Sequence, residues 1–171
     1  MEQKEKTPKV FIFYSLDGQE KKDKIDKFAT RFAADGVDIV ADIYRLKAGN
    51  DKFYYMEQMV NDPTLSHVLI ICDKLYMEKA NKRQFRVRTE SEIISQEIYS
   101  KHSQEKFIPI IYELDENNEA YAPIFLKNRI YIDFSSPEKE NDNWDKLLIG
   151  VSLDIENYCT LRLFFDPFDF S

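Results

Sequence analysis

Val10-Phe11-Ile12-Phe13-Tyr14 and Val68-Leu69-Ile70-Ile71-Cys72 are unbroken runs of apolar, strand-favouring residues. A strand with one wet face alternates apolar and polar side chains. A strand without polar positions is covered on both faces. Such strands belong to a parallel sheet sandwiched between helices, and the intervening segments follow that plan. Glu20 to Ala34 is charged but carries Ile25, Phe28, Ala29 and Phe32 at helical spacing, and Gly36 supplies a left-handed cap after it. Residues 37–41 form a second short strand, 42–51 a loop, and 53–60 a short helix stopped by Asp62-Pro63.

The third strand spans 66–72 and leads into a polar, cationic loop over 79–88, then a helix that opens at Thr89. Residues 106–111 form a fourth strand, in which Pro109 points to an edge position or a strand end. A fifth strand covers 129–133, and a last helix covers 141–156, with Trp144, Leu147, Leu148, Val151 and Ile155 on one face. Strand and helix alternate throughout, so right-handed crossovers build a flavodoxin-like, three-layer α/β fold on five parallel strands. Three parts are expected: a polar leader at 1–8, one domain at 9–156 and an aromatic tail at 157–171. The tail, Leu163-Phe164-Phe165-Asp166-Pro167-Phe168-Asp169-Phe170, either folds back on the domain or marks a docking surface.

Composition removes several function classes. The 171 residues carry a net charge of −7 and no long basic block, which disfavours nucleic acid and anionic membranes as partners. No stretch approaches the ~20 apolar residues of a membrane span, and the leader lacks an apolar signal-peptide core. Cys72 reads as a buried apolar filler, and with Cys159 as its only companion a structural disulfide is not expected. The chain reads as cytoplasmic. His67 and His102 lack ligand-like spacing, so no metal site is expected. Neither phosphate-cradling glycine motif occurs, nor does a nucleophile elbow.

In an open parallel sheet, ligands sit beyond the carboxyl ends of the strands. Segments 14–18, 42–51 and 73–90 converge there. Within the helical pattern 89–98, Glu90 points between Ile93 and Ile94 at 100° per residue, on the apolar stripe, whereas Glu92 points away. A carboxylate on that stripe is either hydrogen-bonded or capping within the fold, or is there for function. Glu97 shares the face but lies about two turns, roughly 10 Å, deeper.

These residues resemble a family. Val10-Phe11-Ile12-Phe13-Tyr14-Ser15 is similar to the first signature box of Toll/interleukin-1 receptor (TIR) domains, of the bacterial branch close to the SEFIR group. Asp42-Ile43-Tyr44-Arg45-Leu46-Lys47-Ala48-Gly49 resembles that branch's D-x-x-x-L-x-x-G loop. Val68 to Cys72, Tyr76, Lys79-Ala80-Asn81 and Val87-x-Thr89-Glu90-x-x-Ile93-Ile94 resemble its third strand and following helix. Lys106 to Ile110 resembles its fourth strand. The resemblance runs from about Lys9 to about Leu148. The branch usually has a glycine-rich stretch before the glutamate. Here Arg86 and Arg88 stand at glycine positions, which implies a different loop conformation or two cations beside a substrate pyrophosphate.

The resemblance implies a flavodoxin-like fold and three functions. The first is an NAD+ glycohydrolase, a self-assembling effector of antiphage defence or signalling with Glu90 as its catalytic carboxylate. Nicotinamide leaves as a neutral base from a cationic ring, so one ionised carboxylate suffices to stabilise the oxocarbenium-like ribose. Sugar hydrolases need a second acid because their leaving group is an alkoxide. A helix N-terminus would keep Glu90 ionised. NAD+ would be substrate, with no further cofactor. The substrate-binding candidates are Phe13, Tyr14, Ser15, Asp42, Arg45 and Lys47. Tyr14 and Ser15 present an aromatic face and backbone groups to substrate, or form an ordinary strand end. Asp42 binds a ribose hydroxyl or caps its loop. Arg45 and Lys47 contact phosphate, a neighbouring protomer or only solvent.

The second function is a non-enzymatic module that recruits TIR or SEFIR domains. The third is a cyclase that makes a cyclic ADP-ribose signal in a site closed to water. The resemblance further implies self-association through TIR–TIR contacts, and sensing is expected to lie in another domain or a partner chain.

Overall fold

The computed structural model describes residues 7–14, 18–41, 58–59, 61–86 and 104–152. Among them run strand β1 (Lys9–Phe13), helix α1 (Gln19–Ala34), β2 (Asp38–Ala41), β3 (His67–Cys72), α2 (Lys74–Arg86), β4 (Phe107–Ile111), β5 (Ile132–Asp133) and α3 (Pro137–Val151). The five strands form one parallel sheet in the order β2-β1-β3-β4-β5. This is the α/β architecture expected from the apolar runs.

Side-chain alternation along the strands divides the core in two. Val10, Ile12 and Tyr14, with Leu69, Ile71, Ile110 and Tyr112, face the layer built by α1 and α3. Phe11 and Phe13, with Val68, Ile70, Cys72, Phe107 and Ile111, face the opposite layer, which contains Tyr76 of α2 and Phe125 and Leu126 of a short 3-10 turn. Burying one such side chain contributes about 1.5–3 kcal/mol, so a strand covered on both faces needs no polar position. Cys72 is fully buried, as its apolar setting requires, and burial pushes its thiol well above the usual range.

Trp144 fastens α3 to α1. Its ring stacks on Phe134 at 6.0 Å and meets Phe28 edge-on at 5.4 Å, while the Arg31 guanidinium lies 3.9 Å from the ring centre. The indole N–H donates to Asp35 at 2.7 Å. Asp35 ends α1, and Gly36 follows at φ +87°, the left-handed cap expected of it.

Four expectations change. First, the segment read as a loop over 79–88 is helical as far as Arg86. The sequence Lys74 to Arg86 contains neither glycine nor proline, and Asp73 starts the helix by accepting the Tyr76 N–H at 2.7 Å. The helical pattern is obscured in the sequence because the segment is rich in lysine and arginine, which are good helix formers without an apolar stripe.

Second, Pro109 lies in an interior strand, between β3 and β5. Tyr112 donates its N–H to Cys72, and the Ile111 carbonyl accepts from Phe134. Residues 108, 110 and 112 therefore bond towards β3, and 107, 109 and 111 towards β5. Proline's missing donor faces β5, on the side where no ladder bond is formed.

Third, β5 is two residues long instead of five, for the same reason. The register pairs Ile111 with Asp133. Continuing the ladder would need the residue 109 N–H to reach the Ile130 carbonyl, and proline has none to give.

Fourth, α3 starts at Pro137, four residues earlier than expected, and ends at Val151. Ser136 accepts the Lys139 N–H as N-cap, and proline suits the first helical turn. The predicted helix at 53–60 falls largely outside the described residues, although 58, 59 and 61 are helical.

Candidate functional site

The strand order reverses direction between β1 and β3. Chains of this topology open a crevice there, beyond the carboxyl ends of the strands. Here it is a cleft of about 380 Å³. One wall is the first two turns of α1, from Gly18 to Ile25; the other is Ile71 and Asp73 after β3 and Tyr112 and Glu113 after β4. Gly18 sits at φ +81° and ψ 156°, a conformation close to glycine-only, and turns the chain into α1.

Asp73 is the hub of this cleft. It is 3% exposed, pairs with Lys21 of α1, and caps α2 through the Tyr76 N–H. Glu113 accepts the Lys74 N–H at 2.9 Å, adding a second carboxylate to the start of α2. Lys24 lies 4.4 Å from the centre of the Tyr112 ring. The Tyr112 hydroxyl is buried and meets no hydrogen-bond partner among the described residues. Burial, followed by the nearby Glu140 charge, pushes its ionisation well above the usual tyrosine range. The described walls hold three acids, Glu20, Asp73 and Glu113, against two bases, Lys21 and Lys24. That balance does not make a polyanion cradle.

Of the predicted site residues, Phe13 and Tyr14 are described. They are 7% and 1% exposed and lie on opposite faces of β1. Phe13 packs edge-on against Tyr76 at 5.4 Å. Tyr14 sits in the α1–α3 layer with Ile12 and Tyr112. Ser15, Asp42, Arg45, Lys47 and Glu90 lie outside the described residues, as do Glu97, Arg88, Cys159, His102 and the tail. Sequence reasoning did not single out Lys21, Lys24, Tyr112 or Glu113. An available signal was Asp73 itself, an N-cap residue between an apolar strand and a helix-forming run.

Among the described residues no group of three or more His, Cys, Asp or Glu side chains is placed to hold a metal ion. Nor is any helix there long and apolar enough to cross a membrane.

Comparison with known proteins agrees with the fold. The model of the SEFIR domain matches residues 8–147. A solved structure described as a prokaryotic SEFIR domain superposes with a TM-score of 0.71 at 34% sequence identity, over 86% of this chain and 94% of that one. No curated protein matches. The chain belongs to the SEFIR family of TIR-like domains.

Proposed function

We propose that this chain is a protein–protein interaction module that associates with other SEFIR or TIR domains, including copies of itself. The observation that carries this reading is the match to the SEFIR domain over residues 8–147, and the state of Asp73 agrees with it. Asp73 is the buried carboxylate of the switch-point cleft, and it is engaged in holding α1 and α2 together through Lys21 and the Tyr76 N–H. Glu113 is likewise engaged at the Lys74 N–H. These acids stabilise the fold, and ionised groups already paired are poor candidates for stabilising a cationic transition state. A docking role asks only that the cleft and its helices hold their shape.

The competing reading, an NAD+ glycohydrolase, draws its support from the resemblance to bacterial TIR domains, in which Glu90, on the apolar stripe of its helical pattern, matches the catalytic glutamate. The two readings differ in what association accomplishes: it is the function itself for a module, and a means of completing the site for the enzyme.

Sedimentation velocity over a hundredfold concentration range tests the proposal. Reversible association is expected, unchanged by Glu90→Gln. A strictly monomeric chain that also fails to bind a second SEFIR or TIR domain would overturn it.

A further inference from the structure

The two edges of the sheet are finished differently. At β5 the Phe134 N–H donates to the Ile111 carbonyl, so Asp133 is the residue whose backbone faces outward. Its carbonyl accepts the Asn143 amide at 3.0 Å, and its carboxylate is held by Lys139 at 2.8 Å. An incoming strand finds that edge taken. The other edge is β2. There the Asp38 N–H donates to the Pro8 carbonyl at 2.9 Å, and the register sets Asp38 beside Lys9 and Val40 beside Phe11. Asp38 and Val40 therefore bond towards β1. Ile39 points its N–H and C=O away from the sheet, where they meet no partner among the described residues. Strand edges left open pair with other strands, and β2 contains neither proline nor lysine, the residues that commonly block an edge.

The helix beside this edge leaves room for a neighbour. Lys24 and Arg31 of α1 lie over the rings of Tyr112 and Trp144, on the side towards β4 and α3. At 100° per residue, Ala29 and Ala33 fall on the opposite flank, the one towards β2. Ala29 packs on the same core as Ile39, and Ala33 is exposed. Lys22 and Asp26 complete that flank, one charge of each sign. We propose that β2 is the surface through which two copies of this chain associate, pairing antiparallel about a two-fold axis at Ile39 and joining two five-stranded sheets into one. This rests on the interaction reading above and names its surface. The open edge selects a second copy because it is self-complementary. Ile39 exchanges both backbone bonds with Ile39 of the second copy, and Asp38 comes opposite Val40 instead of another carboxylate. An edge paired with its own counterpart is used up on both sides, and the closed β5 edge offers no further step, so assembly stops at two. The alanines let the two α1 helices approach to within about 10 Å, an ordinary helix-packing distance.

Disulfide trapping in the full chain, with Cys159→Ser as background, tests the register. Directly opposed, hydrogen-bonded residues of an antiparallel pair have Cα atoms about 5.5 Å apart, within disulfide reach, whereas the two copies of residue 38 would stand roughly 8 Å apart, beyond it. Ile39→Cys should therefore give a covalent dimer on oxidation, read by non-reducing electrophoresis, and Asp38→Cys should not. Sedimentation velocity gives an independent reading. Ile39→Pro removes an N–H that no described residue accepts, and should weaken association at least tenfold. Association that persists in Ile39→Pro with no crosslink at position 39, or crosslinking at 38 as ready as at 39, overturns this interface and leaves the interaction reading standing. A chain that stays monomeric overturns it as well, and binding to a second SEFIR or TIR domain then decides the interaction reading separately.

Discussion

Lys21 and Asp73 form an ion pair that ties the first turn of α1 to the first residue beyond β3. The two side chains are 25% and 5% exposed, so the carboxylate is the buried partner and the ammonium its access to solvent. One acid thereby links two helices and the central strand at the cleft.

Asp73→Ala removes the cap of α2 and leaves Lys21 without this partner. The expected cost is about 2–3 kcal/mol in urea unfolding, of which about 1 kcal/mol is the cap. Asp73→Asn keeps an accepting oxygen for the Tyr76 N–H and should cost about half as much. Equal losses for both variants would show that the cap contributes nothing.

Lys21→Met leaves a buried carboxylate that still accepts a backbone N–H. Because the lysine is partly solvated, the expected loss is about 1–2 kcal/mol, below that of a fully buried pair. A neutral or stabilising result would mean that the Asp73 carboxylate gains nothing from the ion pair.

Trp144→Ala should be the most damaging single change in α3. It removes ring contacts with Phe28, Phe32 and Phe134 and the bond to Asp35, at a cost of about 3–5 kcal/mol. Asp35→Ala, at an exposed position, should cost only about 1 kcal/mol. A double-mutant cycle with Trp144→Phe isolates the indole–carboxylate bond; a coupling of zero would exclude that bond from the energetics.

His67 begins β3 with its Nδ1 buried, and no partner for it is present among the described residues. Burial lowers its pKa below the ordinary 6.5, with Glu105 opposing the shift and Lys106 adding to it. The folded state therefore binds a proton less readily than the unfolded one. Stability is full above the unfolded pKa, falls as pH drops below about 6.5, and levels off below the folded pKa. Urea midpoints from pH 7.5 to 5.0 should decline more steeply in the native chain than in His67→Gln. Parallel curves would remove His67 from the account.

The fold is legible in the two apolar runs because a doubly covered strand leaves a signature that no helix packing hides. Phe28, Phe32 and Trp144 are legible by their spacing. Helix α2 is not, since its core-facing pair Tyr76 and Ala80 is followed by a run rich in lysine and arginine, in which only propensity favours a helix. Pro109 suggests an edge in the sequence, but the missing donor acts on one side of a strand only, and β5 shortens to suit it. The cleft is legible as a place, through the alternation of strands and helices. Its pairing is not: Lys21 and Asp73 are 52 residues apart in sequence and meet only through the β1/β3 reversal. Phe13 and Tyr14 are adjacent in sequence yet face opposite layers, as consecutive strand residues must.

The most direct test of the central claim, that association rather than bond cleavage is what this SEFIR domain performs, is chromatographic. The protein is concentrated or artificially clustered, incubated with NAD+, and the products are resolved alongside Glu90→Ala and Glu97→Ala. The interaction reading predicts no nicotinamide above the protein-free blank in any sample. Nicotinamide release that disappears with Glu90→Ala and survives Glu97→Ala would contradict it and establish the glycohydrolase.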